Sequence, residues 1–249
     1  MSVHAHSLVV ELGAFRLGPV DLTFQRGRVT AIIGPNGSGK STLLRALCGL
    51  QRAKGGAARI GERDVQGLDA GSRARTIAFV PHRPVMPGAL TVRETVSLGR
   101  LRLGRDASAI DRALAAVGLQ ERAGDAADSL SAGQMHRVAM ARMLAQVQPS
   151  TALVALDEPT SSLDPAWSAF VGGIARTLAS QGHSVLVATH DFSFVGACCD
   201  DAVLLSRGTV QATGPVATVV SPESLEALFG APFVRAEGIS ARPIVLPRW

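Results

Sequence analysis

Apolar and polar positions alternate through SLVVELGAF (7–15) and VDLTF (20–24), with Gly18-Pro19 as punctuation, so residues 7–33 read as β-rich. VTAIIG (29–34) is a short β-branched run ending in glycine, the pattern of a buried strand. In STLLRALCGL (41–50) the leucines 43, 44, 47 and 50 recur at helical spacing, closed by Gly49 and then Gly55-Gly56. Strand, glycine loop and helix open an α/β unit. A hairpin (57–66) and a strand TIAFVP (76–81) follow. Over 91–145 the spacing turns helical, with Val92, Val96, Leu98 and Leu101, then Ile110, Leu114 and Val117, and predicts an inserted helical segment. The α/β pattern resumes with ALVALD (152–157) and SVLVATH (184–190), two buried-strand runs separated by a helix near 165–180. DAVLLSRGTVQATG (201–214) reads as a hairpin, and SPESLEALFG (221–230) as a helix capped near Ser221. The expectation is one domain without internal repeats or linkers. It comprises an α/β core with a β region over 1–82 and 146–235, a helical segment over 83–145, and a tail over 236–249.

Composition narrows the classes. The 249 residues are 47% hydrophobic and 18% charged, which excludes a disordered chain. No apolar run approaches the roughly 18 to 20 residues that span a bilayer, so the chain is not expected to cross one alone. MSVHAHSLVV lacks a basic segment followed by an apolar one, so no secretory leader is expected. Cys48, Cys198 and Cys199 form no disulfide framework, which points to a reducing compartment. A net charge of +5 admits nucleic acid or an anionic membrane surface as partners, but the basic residues are scattered and no block of five like charges occurs.

GPNGSGKST (34–42) fits G-x-x-x-x-G-K-[ST] between a predicted strand and a predicted helix, the context a phosphate loop requires. Its residues Gly34, Pro35, Asn36, Gly37, Ser38, Gly39, Lys40, Ser41 and Thr42 form the candidate cradle. The glycines let backbone N–H groups turn onto phosphate oxygens, and the following helix adds its N-terminal partial charge. Lys40 can reach the β- and γ-phosphates, and the Ser41 hydroxyl can ligate Mg²⁺. Lys40 is one of only two lysines in a chain that otherwise uses arginine, and it stands where a compact ammonium is needed. A GTPase would normally offer Asn-Lys-x-Asp, and no Asn-Lys pair exists.

Further on, Asp157 ends an apolar run and Glu158 follows, with Pro159 stiffening the exit. In an open parallel sheet, ligands gather at the carboxyl ends of the strands. There Asp157 can hold Mg²⁺, directly or through a water, and Glu158 can accept a proton from a water aimed at the γ-phosphate.

LSAGQMHRVAMARMLA (130–145) resembles the Leu-Ser-Gly-Gly-Gln signature of ATP-binding cassette (ABC) ATPases, with Ala132 in place of the first glycine. The order along the chain also resembles that family. The phosphate loop at 34–42 is followed by the signature at 130–134, the Walker B strand at 152–158, Ser162-Leu163-Asp164 as a D-loop and His190 as a switch histidine. The resemblance covers about residues 8–235. It implies a P-loop NTPase (RecA-like) core with an N-terminal antiparallel β region and an inserted helical subdomain. It also implies two head-to-tail copies burying two ATP molecules, so that Ser131, Gly133 and Gln134 act on the nucleotide held by the other copy. Glu158, His190 and Lys40 would be catalytic, with His190 directed to the γ-phosphate and the attacking water. His4, His6, His136 and His183 have no such context and default to surface positions.

Two positions depart from the family's pattern. His82 stands where a glutamine usually offers Mg²⁺ a carbonyl oxygen, and a neutral histidine could instead hold a metal-bound water. The chain has no tyrosine for adenine stacking, and Phe15 is the nearest aromatic candidate.

One cassette, with no fused membrane segment and no long coiled-coil insertion, favours a separate importer subunit. PGALTVRETVSLGR (87–100), the segment SPESLEALFGAPFV (221–234) and RLGPV (16–20) are similar to the subfamily that drives uptake of iron-siderophore, haem and vitamin B12 complexes. That resemblance implies a homodimer on the cytoplasmic face of the inner membrane and a permease dimer docked on the helical segment. The arginines at 93, 100, 102 and 105 are candidates for that docking. It also implies a separate substrate-binding protein and no nucleic acid. The alternatives are an ABC ATPase acting on nucleic acid or protein complexes, and a nucleotide-binding module without hydrolysis.

Overall fold

In the computed structural model, residues 1–86, 88–161, 164–236 and 244–247 are described. The chain divides into two compact units, Met1–Gly67 together with Ala152–Trp249, and Leu68–Thr151.

The first unit opens with β1 (Val3–Leu12), β2 (Phe15–Phe24), β3 (Val29–Ile33), α1 (Lys40–Leu47), β4 (Gly55–Ile60) and the short β5 (Arg63–Asp64). Four of these strands form an antiparallel sheet in the order β2-β1-β4-β5, with Val3 opposite Phe24 and Leu12 opposite Phe15. One face is apolar: Val3, Ala5, Leu8 and Val10 on β1 are buried with Leu17, Val20, Leu22 and Phe24 on β2. Strand β1 starts four residues before the alternation became readable at Ser7, because His4 and His6 occupy its outward positions.

The second unit holds α2 (Ala70–Thr76), β6 (Ile77–Val80), α3 (Val92–Ser97), α4 (Ala107–Ala116) and α5 (Ala132–Gln146). Its four α-helices all start on side-chain caps: Asp69 on α2, Thr91 with Glu94 in a reciprocal capping box on α3, Asp106 on α4, and Ser131 with Gln134 in a second capping box on α5. Each such cap stabilises a helix by about 1 kcal/mol. Helices α3 and α4 pack on α5, burying Val92, Val96, Leu114, Val138, Met140 and Met143. Helix α2 was not legible from apolar spacing, since none of its residues is buried.

Returning to the first unit, the chain forms β7 (Leu153–Asp157), α6 (Pro165–Ser180), β8 (Ser184–Ala188), α7 (Phe192–Cys198), β9 (Asp201–Ser206) and β10 (Thr209–Pro215). It ends in α8 (Val216–Val219), α9 (Pro222–Phe229) and the antiparallel pair β11 (Phe233–Ala236) and β12 (Ile244–Pro247). The central sheet runs β10-β9-β3-β8-β7 through this unit, with β9, β3, β8 and β7 parallel and β10 antiparallel at the edge. Every residue of β3, β7 and β8 is buried, which is why these segments read as continuous apolar runs. Each fully buried Val, Leu or Ile there contributes on the order of 1.5–3 kcal/mol. The carboxyl ends of β3, β7 and β8 lie side by side, and the candidate chemistry collects there.

His183 corrects an expectation. It is 3% exposed, whereas His6 is exposed and His4 and His136 are half-buried. In the tight connection from α6 to β8, the His183 N–H donates to Leu178 O at 3.2 Å, and its carbonyl accepts from Gly27 N–H at 3.1 Å. The turn is therefore tied down from both sides. All three cysteines are buried, and none is in a disulfide.

Candidate active site

The phosphate loop begins where β3 leaves the sheet. A β-carbon on Gly34 would lie 2.1 Å from the Leu205 carbonyl oxygen and 2.6 Å from Ser38 Oγ, so the backbone passes where no side chain fits. Gly39, at φ +108°, occupies the left-handed region just before α1, and a β-carbon there would meet Phe15 Cζ at 2.9 Å. Helix α1 therefore starts without a side-chain cap, and its first-turn N–H groups lack partners within the helix. Together with the N-terminal dipole, this is an anion-binding end. Asn36 and Gly37 are exposed at the loop tip. Ser38 is buried, with an Oγ that meets no hydrogen-bond partner among the described residues.

Lys40 is folded into the loop at 7% exposure. Its Nζ donates to Gly34 O at 2.8 Å and Pro35 O at 3.3 Å, and lies 3.6 Å from Glu158 Oε1. One residue on, Ser41 Oγ donates to Asp157 Oδ1 at 2.8 Å, linking α1 to the end of β7.

Asp157 is fully buried, and its Oδ2 meets no hydrogen-bond partner among the described residues. An ionised oxygen in that position is costly unless something positive completes it. The oxygens of Ser41 and Asp157 are hard donors of the kind that suits Mg²⁺, which binds through one or two protein oxygens plus phosphate and water. No group of three or more His, Cys, Asp or Glu among the described residues is placed to hold a metal by itself.

Glu158 is the first residue past β7, 6% exposed, and one of three non-glycine residues with positive φ among the described residues, at 51°. Its N–H donates to Ala188 O at 2.9 Å, so β7 and β8 together impose a backbone conformation that costs on the order of 1–3 kcal/mol. That turn aims the carboxylate between Lys40 and His190. His190 Nδ1 stands 2.7 Å from Glu158 Oε2, close enough to pair, although Oε2 makes no aligned hydrogen bond among the described residues. The His190 ring is largely exposed.

The turn carrying His190 is held by neighbours that the sequence pattern did not single out. Asp191 N–H donates to Thr189 Oγ1 at 3.0 Å, and Asp191 Oδ1 caps α7 by accepting from Phe194 N–H at 2.9 Å. Ser168 on α6 donates to the other oxygen of Asp191 at 3.2 Å. An aspartate directly ahead of a helix was the available signal. Asp164 similarly caps α6 through Trp167 N–H at 2.8 Å. The remaining D-loop positions, Ser162 and Leu163, lie outside the described residues.

In the first unit the structure thus brings together Lys40, Ser41, Asp157, Glu158 and His190, with Phe15 against the loop at Gly39. Ser131, Gly133, Gln134 and His82 belong to the second unit. Ser131 caps α5: Gln134 N–H donates to Ser131 Oγ at 3.4 Å, and Ser131 N–H donates to Gln134 Oε1 at 2.9 Å. Ser131 is exposed, and the box uses its oxygen only as an acceptor, which leaves the hydroxyl proton to donate outward. The His82 carbonyl accepts from His136 Nε2 at 2.9 Å.

The sequence profile of the ABC transporter family matches residues 17–161, more than half of the chain. The chain belongs to the ABC transporter family. Two relatives and one solved structure illustrate its place there. The hemin import ATP-binding protein of Pseudomonas entomophila is 35% identical over 93% of this chain and 94% of its own length. The cobalamin import ATP-binding protein of Halobacterium salinarum is 36% identical over 93% of this chain. This ABC chain spans only 59% of the length of that cobalamin protein. A dimeric ATP-binding cassette in a post-hydrolysis state, bound to ADP and Pi, superposes with a TM-score of 0.78 at 26% identity, covering 86% of this chain and 98% of that one. Among the described residues no helix is long and apolar enough to cross a membrane.

Proposed function

We propose that this chain is the ATP-hydrolysing subunit of an importer for metal-chelate cargo of the iron-siderophore, haem or cobalamin type. It would work as a homodimer bound peripherally to a permease dimer at the inner membrane, with a separate binding protein delivering the cargo. The observation that carries the hydrolytic part is the convergence of Lys40, Ser41, Asp157, Glu158 and His190 at adjoining strand ends. Kinship with hemin and cobalamin import proteins supports the cargo class.

The residues divide the work as follows. The loop N–H groups from Asn36 to Thr42 cradle the β- and γ-phosphates, and Lys40 exchanges its bonds to the Gly34 and Pro35 carbonyls for phosphate oxygens. Ser41 and Asp157 would hold Mg²⁺, whose charge would offset that of the phosphates, and His82 is a further candidate to ligate Mg²⁺. Glu158, aimed by its strained turn, accepts the proton of the attacking water, and His190 holds that water and the γ-phosphate in register. Phe15, already beside Gly39, is the candidate to stack on adenine. Ser131, Gly133 and Gln134 of the second copy close over the γ-phosphate, with Ser131 donating its free hydroxyl proton.

The cargo assignment is tested by deleting the gene in its host and measuring uptake of labelled siderophore-iron, haem and cobalamin. Loss of one uptake, restored by the intact gene and not by a Lys40→Ala copy, is the expected result. Normal uptake of all three would refute the assignment. Reversing the charges of Arg93, Arg100, Arg102 and Arg105 should release the subunit from membranes, and unchanged retention would remove those arginines from docking.

A further inference from the structure

His190 reaches Glu158 across 2.7 Å while its own ring is largely exposed. Few contacts on the ring itself therefore hold its direction, and the backbone of the turn must do so. On one side Thr189, Asp191 and Ser168 pin that turn by hydrogen bonds. On the other side stands Phe192, the first residue of α7.

The Phe192 ring meets two others edge-on: Phe229 at the end of α9, with centroids 5.5 Å apart and planes at 87°, and Phe233 at the start of β11, at 5.3 Å and 82°. Phe229 and Phe233 close the triangle at 5.9 Å. Edge-to-face rings have a preferred geometry that aliphatic side chains of similar size lack, so the triad fixes orientation as well as burying area. Helix α7 is additionally packed by β12, where Val245 is buried. The segment two residues after His190 is therefore anchored to the chain's C-terminal elements, far along the sequence from every phosphate-loop residue.

We propose that Phe192, Phe229 and Phe233 are positioning residues for hydrolysis, an aromatic anchor through which the C-terminal elements set how His190 stands against Glu158. The inference rests on the hydrolytic reading above and adds to it a role for three rings that touch no reacting atom. Loosening the anchor leaves the phosphate loop intact, so it lowers turnover without weakening nucleotide binding. The loss passes through His190 alone.

The test uses the full chain and measures ATP turnover, KM for ATP and melting temperature. Phe233→Leu should lower kcat about fivefold with KM within twofold of the parent. Phe192→Tyr keeps the ring on the half-buried side and should retain turnover within twofold. Placed in a His190→Ala background, Phe233→Leu should change the residual single-turnover rate less than twofold, because the residue it acts through is gone. Phe229→Leu removes a ring from the opposite corner and serves if Phe233→Leu does not fold. Equal losses in both backgrounds, or no loss with His190 intact, would overturn the anchor while leaving the hydrolytic reading standing. A parent chain that turns over no ATP would overturn both.

Discussion

Replacing Glu158 by glutamine removes one charge and almost no volume from a site that is 6% exposed. Three consequences can be worked from the geometry. First, an amide cannot take up a proton as the carboxylate can, and loss of a general base costs about 10²–10⁴ in rate, or roughly 3–5 kcal/mol of barrier. Second, Lys40 Nζ loses an anionic neighbour at 3.6 Å. At that separation the gross Coulomb attraction is on the order of 4 kcal/mol for an effective dielectric near 20, before any desolvation. Lys40 keeps its acceptors on Gly34 and Pro35, so the fold does not suffer a stranded buried charge, and its ammonium is freed for phosphate. Third, one negative charge disappears near the site of the terminal phosphate. Glu158→Gln should therefore bind ATP at least as tightly as the parent while turnover drops at least a hundredfold. Phosphate release gives the rate and equilibrium titration with ATP gives the affinity. Turnover within fivefold of the parent would remove Glu158 as the base. A drop in affinity parallel to the drop in rate would show that the glutamate organises binding, which contradicts the role argued for it.

Other consequences follow from single residues. Gly34→Ala forces a β-carbon to within 2.1 Å of the Leu205 carbonyl oxygen, and should cost several kcal/mol in denaturant unfolding together with nucleotide binding. A loss below about 1 kcal/mol would mean that the backbone yields there. His82→Gln should lower the Mg²⁺ concentration needed for half-maximal turnover, since an amide oxygen suits the ion better than imidazole, and an unchanged Mg²⁺ titration would leave His82 no metal role. Burial pushes the Asp200 carboxyl up, but the Val29 N–H bond and the Arg176 and Arg28 charges outweigh it and hold it below the usual carboxylate range. A depressed value means stability is fully present above the unfolded value near 3.9 and is lost as pH falls through the lower folded value. Asp200→Asn should flatten that acid limb of the melting profile, and an unaltered limb would assign it to other carboxylates.

Much of the site could be read in the sequence because its parts sit where backbone requirements and chemistry coincide. The phosphate loop needs glycine at Gly34 for clearance and at Gly39 for φ, so its spacing survives as a motif. Buried parallel strands read as apolar runs, which located Asp157, Glu158 and His190 at their ends. The proximity of Ser41 to Asp157 followed from the rule that ligands gather at the carboxyl edge. What the pattern could not give was set by tertiary context. Helix α2 buries none of its residues and left no periodic trace. The second unit begins at Leu68, whereas helical spacing became visible only in the segment taken from residue 83. His183 was misplaced because it is buried in a connection that folds back onto Gly27, far away in sequence, which no local pattern records. The positive φ of Glu158 arises from the β7–β8 register, and the Phe192–Phe229–Phe233 triangle joins residues whose meeting needs the whole C-terminal path.

The claim on which the account depends most is that two copies clamp ATP between them, with Ser131 of each completing the other's pocket. Light scattering of Glu158→Gln chains with ATP, compared with ADP, measures this directly. Dimers should form with ATP and not with ADP, and a second change, Ser131→Arg, should abolish them while ATP still binds each monomer. Monomers at saturating ATP, or dimers indifferent to both the nucleotide and Ser131→Arg, would contradict it.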